Sequence, residues 1–176
     1  MKTVWIFGDS FAANKNAHSW TSLLSKYKNV INHASNGSSE HRIWKSYQNN
    51  KHLIAPTDSV LFCHTSTSRI YLKDSEPLLS RLLPSHPLCD IIFSDIYAKK
   101  ENKFIKLIKK IWDDEYFEDT YNLLLSDLES IPNSKHITFF DSGMYNCIWK
   151  NNPGTINHMS AHGNSLVLEQ ILRILP

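Results

Sequence analysis

Three short apolar runs, residues 3–7, 29–34 and 59–64, alternate with stretches whose apolar side chains recur every three or four positions. That alternation restricts the possible folds more than any other feature of the chain. Runs this short suit strands buried on both faces better than they suit helices. Trp20, Leu23, Leu24 and Tyr27 fall at i, i+3, i+4 and i+7, so a helix is expected between the first two runs. Ser38 or Ser39 then caps a second helix carrying Ile43, Trp44, Tyr47 and Leu53. A turn at Pro56-Thr57-Asp58 leads into the third run. Strands joined through helices must lie parallel, with helices covering the sheet on both sides.

The second half continues the pattern less evenly. Residues 76–83 read as a helix that stops at Pro84, and residues 84–102 fit a short strand, a helix or a lid equally well. Phe104, Leu107, Ile108, Ile111 and Trp112 form one helical stripe, and Phe117, Tyr121, Leu124 and Leu128 another. Residues 135–140 make a fourth strand, and residues 146–157 read as a loop around Pro153-Gly154. Ser160 caps a last helix with Val167, Leu168, Ile171, Leu172 and Leu175 on its buried stripe. With no linker, repeat or low-complexity tract, residues 1–176 read as one domain.

Composition excludes several functions. The chain has 176 residues and a net charge of +2, too mild a balance to argue for nucleic acid. The lysines of residues 99–110 alternate with apolar residues, as on a solvated helix face. Cys63, Cys89 and Cys147 form no CxxC pair, and His33, His41, His52, His64, His86, His136 and His162 show no HxxxH or HExxH spacing among themselves, so no metal site is expected. No apolar stretch nears the roughly 18 residues of a membrane span. The expectation is a chain that stays soluble where it is made, in the cytoplasm or associated with a virion.

In an open parallel sheet, function gathers at the carboxyl ends of the strands. Gly8-Asp9-Ser10, Asn36-Gly37, residues 64–69 and Asp141-Ser142 all fall there, and Asn157-His158 sits just before the last helix. An early serine beside a late histidine suits acyl transfer: the hydroxyl attacks a carbonyl, the imidazole takes its proton and backbone N–H groups hold the oxyanion. Asp9 reads as a carboxylate that braces its loop by accepting backbone N–H bonds.

The motifs "FGDSFA", "HSW..LL", "NHASNGSS" and "NHMSAHG", in that order, resemble those of the SGNH (GDSL) hydrolase family over nearly the whole chain, apart from residues 70–130. The resemblance implies a flavodoxin-like three-layer α/β/α sandwich with a mostly parallel sheet of four to five strands. It implies Ser10 as nucleophile, His158 as base, and an oxyanion hole from the N–H groups of Ser10 and Gly37. It further implies hydrolysis of a small acyl ester or an acylated carbohydrate without a cofactor. Two positions depart from the family pattern. Thr67 stands where the family has an oxyanion-binding Asn, with Ser66 as a neighbouring hydroxyl. Losing one such donor costs about 3 kcal/mol in a serine hydrolase. Thr155 stands where the family has the Asp three residues before the His, leaving a backbone carbonyl or Asp141 to orient His158. His64 and Arg69 are further candidates at the same sheet edge, Arg69 for gripping an anionic substrate group or holding its loop. These departures also fit a second reading, a family-like fold that has lost its chemistry and serves as a binding or structural component. A phage assembly would suit the Lys/Asn/Ile-rich composition, and a homo-oligomer or an assembly partner is compatible with either reading.

Overall fold

The computed structural model describes residues 2–13, 16–67, 69–71, 90–92, 106, 110, 113–154 and 158–176. Its strands are β1 (Thr3–Gly8), β2 (Asn29–Asn32), β3 (Ser59–His64), β4 (Arg69–Ile70), β5 (Ile91–Ile92) and β6 (Ser134–Thr138). Its α-helices are α1 (Trp20–Leu24), α2 (Glu40–Asn50), α3 (Asp114–Glu129), α4 (Met144–Asn151) and α5 (Ala161–Ile174).

Four strands form one sheet in the order β2-β1-β3-β6, and every pairing in it is parallel. This is the doubly wound order, with the crossover helices on both faces. Successive side chains of β1 point to opposite faces. Val4 and Ile6 therefore pack with Trp20, Leu24, Val167 and Ile171 of α1 and α5. Trp5 and Phe7 pack with Ile43 and Leu128 of α2 and α3. All six residues of β3 are buried, which explains why its sequence does not alternate. The result is a three-layer α/β/α sandwich. A separate antiparallel pair, β4 with β5, joins the end of the β3 loop to the stretch around Asp90.

At the amino ends of the strands, Asp58 accepts from Thr3 N, Trp5 Nε1 and Ala55 N. These donors, the Thr3 N–H foremost, hold its carboxyl below the usual carboxylate range. That closure leaves the opposite, carboxyl-end edge for function.

Several sequence expectations change. The first helix ends at Leu24 rather than reaching Tyr27, which is 60% exposed. Tyr27 N–H bonds to Leu24 O, a tight i→i+3 closure that turns the chain into β2. The second strand stops at Asn32, whose side chain turns back to accept from Ala34 N. Leu53 lies in a short 3₁₀ turn after α2 and is exposed. Residues 146–157 are not one loop: Met144–Asn151 is helix α4. Tyr145, Ile148 and Trp149 fall at i, i+3 and i+4 and pack on the core, a period that the flanking Gly143 and Pro153-Gly154 obscure. The helix expected at residues 76–83 and the stripe from Phe104 to Trp112 lie outside the described residues. Ser39 and Ser160 cap α2 and α5 by accepting from Arg42 N and Gly163 N.

Candidate active site

β1 ends at Gly8, and the chain turns at once. Ala12 N and Ala13 N both donate to Asp9 O, and Phe11 N donates to Asp9 Oδ1 at 2.9 Å. This turn carries Ser10, which is half-buried at the carboxyl end of the sheet. Asp9 is fully buried. Its other oxygen accepts from Thr65 Oγ1 at 3.3 Å and lies 3.5 Å from Arg69 Nη2. Burial pushes the Asp9 carboxyl up to about 6, against the opposing pull of the Arg69 guanidinium and the Phe11 N–H. Asp9 therefore ties its own turn to the β3 loop.

The turn after β2 is tied to the same place, with Ser35 N donating to Gly8 O at 3.0 Å. Gly37 has φ 67°, the left-handed region that glycine enters without strain. Its carbonyl accepts from Asp90 N, and Asp90 in turn accepts from Ser39 N at 2.7 Å. Both oxygens of that carboxylate accept from Arg42, Oδ2 from Nε at 3.0 Å and Oδ1 from Nη2 at 2.7 Å. Asp90 therefore clamps the Gly37 turn to the start of α2. Nothing in the irregular sequence around it announced this role.

The histidine arrives from the other end of the chain. Gly154 N donates to His158 O at 2.6 Å, and Pro153 bridges to Met159. A Cβ on Gly154 would stand 2.6 Å from the Met159 backbone, so only glycine permits this approach. The His158 ring, half-buried, meets the Phe11 ring edge-on at 5.3 Å. Phe11 itself stacks on Phe139 at 4.6 Å and meets Trp149 at 5.0 Å. A second tie runs through Trp20, fully buried, whose Nε1 donates to Phe11 O. Trp20 N donates to Asn164 Oδ1, and Asn164 Nδ2 donates to Met159 O and Ser160 O. The loops of Ser10 and His158 thus share one aromatic platform and one hydrogen-bonded bridge.

The β3 loop completes the edge. Thr65 is buried, Ser66 half-buried and Thr67 exposed. The Arg69 side chain is 7% exposed, and its Nε and Nη1 are buried without a hydrogen-bond partner. His64 is buried. Its Nδ1 lies 2.7 Å from Glu40 Oε1 and its Nε2 lies 2.8 Å from His136 Nδ1. Both ring nitrogens are therefore engaged within the fold. Asp141 is exposed and accepts from Gly143 N, which holds the entry to α4. Thr155 lies outside the described residues. Beside Gly8, a cavity of about 240 Å³ is lined by Ser35, Ser38, Arg42, Lys45 and Tyr71, on the α2 side and not by Ser10 or His158.

Sequence reasoning missed Glu40, Thr65, Asp90, Trp20 and Asn164. Ser39-Glu40 carried one usable signal, a capping serine followed by an acid in the first helical turn.

No family model matches the chain, and no curated protein matches it. Solved structures do. One is a member of the lipolytic protein G-D-S-L family from Veillonella parvula, at 13% identity and TM-score 0.48, with 98% of this chain and 97% of that one covered. A second is the psychrotrophic esterase EstA from Pseudoalteromonas, at 13% identity and TM-score 0.49, with 98% and 96% covered. The lipase/acylhydrolase from Enterococcus faecalis follows at 16% identity and TM-score 0.43, with 98% and 94% covered. The chain is similar to these proteins in outline along nearly its whole length, and the case for its site rests on its own residues.

Proposed function

We propose that the protein is a serine-dependent hydrolase of acyl esters. Ser10 Oγ attacks the ester carbonyl as the His158 imidazole takes its proton. The bond to the alcohol breaks, and the alcohol leaves with that proton. Water then adds to the acyl-serine with His158 again as base, releasing the acid and restoring Ser10. The N–H groups of Ser10 and Gly37 and the Thr67 hydroxyl receive the oxyanion. Arg69, buried against Asp9, holds the loop that carries Thr67.

One observation carries this reading: the His158 ring packs on Phe11, the residue next to Ser10, although the two lie at opposite ends of the chain. The test is labelling of the purified protein with a fluorophosphonate, alongside hydrolysis of short-chain p-nitrophenyl esters. Wild type should label and turn over, and Ser10→Ala should do neither while keeping its fold. Folded wild type that takes no label and cleaves no ester favours the second reading, a binding component, which the Thr67 and Thr155 departures support.

A further inference from the structure

Thr65 is buried, and it links the loops that carry the three oxyanion donors proposed above. Its hydroxyl donates to Asp9 Oδ2 at 3.3 Å, one residue from Ser10. Its N–H donates to Glu40 Oε2 at 3.2 Å, three residues from Gly37. It stands two residues before Thr67 in its own loop.

Glu40 is equally constrained. It is 4% exposed, at the first position of α2, and its Oε1 lies 2.7 Å from His64 Nδ1. His64 is held in turn by His136, whose Nε2 lies 2.7 Å from Ser134 Oγ. The Glu40 carboxylate therefore has one oxygen fixed by the relay and the other on Thr65. Burial foremost, with Glu40 as a lesser contributor, pushes the Asp9 carboxyl up. Two buried carboxylates are an expensive way to fill space, since apolar residues of similar size do so at no such cost. What they provide instead is direction: each accepts a hydrogen bond at a defined angle from the same residue.

We infer that Glu40 and Thr65 are positioning residues, forming a bracket that sets the Gly37 N–H and the Thr67 hydroxyl at their working distance from Ser10. Oxyanion donors act over about 2.7–3.1 Å, and a misplacement near 1 Å costs about a hundredfold in rate. The inference rests on the hydrolase reading for its consequence in rate but not for its geometry.

The experiment uses the full chain, with p-nitrophenyl acetate as the probe. Glu40→Ala and Thr65→Val should each lower kcat by about ten- to a hundredfold, with KM changed less than about twofold. Glu40→Gln, which keeps an acceptor for Thr65 N–H, and Thr65→Ser, which keeps the hydroxyl on Asp9, should recover most of the loss. The Glu40→Ala/Thr65→Val double variant should be little worse than the poorer single one, because both break one bracket. A raised KM with kcat intact, or losses that merely follow the folded fraction, would overturn the inference. Should Glu40→Ala not fold, Thr65→Val carries the test. Should wild type prove inert, the hydrolase reading fails by itself, and amide hydrogen exchange still reads the bracket. Glu40→Ala or Thr65→Val should then speed exchange in residues 35–39 and 64–67 together, and unchanged exchange in either segment refutes it.

Discussion

The two sides of the site are built from different materials. On the nucleophile side, buried polar groups do the positioning: Asp9, Glu40, Thr65 and Asp90 hold the loops after β1, β2 and β3 by directed hydrogen bonds. On the histidine side, aromatic packing and a backbone turn do it, through Phe11, Phe139, Trp149 and Gly154. Hydrogen bonds fix angles and depend on charge; aromatic packing fixes position through area and is indifferent to pH. Damage to the first side should therefore appear in rate and in pH response, and damage to the second chiefly in stability.

The severest challenge to this contrast is Phe11→Ala. Phe11 is 8% exposed at the centre of the aromatic platform, and truncation should remove about 3–5 kcal/mol, read from urea denaturation. A loss under about 1 kcal/mol would mean the platform is not what holds the His158 loop. Asp90→Ala comes next. It removes the carboxylate that Arg42 and Ser39 N engage, at a cost of about 2 kcal/mol given that Arg42 is partly solvated. It should also slow fluorophosphonate labelling by more than the stability loss explains, since the Gly37 turn loses its clamp. Gly37→Ala should cost about 1 kcal/mol for placing a side chain at positive φ.

The smallest effects sharpen the contrast most. Burial raises the Asp9 carboxyl to about 6, so between its ordinary value and about 6 the folded state holds more protons than the unfolded one. Its contribution to stability therefore improves as pH falls from about 6 toward 4. His136 behaves oppositely. Burial, with the neighbouring His64 and Lys135, lowers its imidazole to about 4, so the unfolded state binds more protons below its ordinary value. Its contribution worsens as pH falls from about 6.5 to 4. The two offset each other in wild type. Denaturation midpoints at pH 4.5 and 6.5 should show Asp9→Asn losing more on acidification than wild type, and His136→Gln losing less. Equal acid losses in all three proteins would contradict the charge dependence assigned to this side.

Legibility followed the range of the interactions. The β3 run could be read because a fully buried strand needs an unbroken apolar segment, and Ser39 and Ser160 could be read because a cap is a local bond. Gly37 was visible because few residues other than glycine adopt its backbone. Helix α4 was obscured by the glycines and proline at its borders, and Tyr27 was misplaced because a periodic stripe does not say where a helix stops. Thr65 and Asp90 carried no pattern, and Glu40 only that of an acid in the first turn of a helix, since their partners lie 24 to 56 residues away.

By itself, the sequence determined the layered α/β architecture and the positions of Ser10, Gly37 and His158 at the ends of its elements, because periodicity, caps and turns are short-range properties. Only the tertiary structure decided what holds those residues. His64 met Glu40, Asp90 met the Gly37 turn, and Phe11 became the surface on which His158 rests. Each of these depends on which loops the parallel sheet brings together, and that is a property of the folded chain and not of any stretch within it.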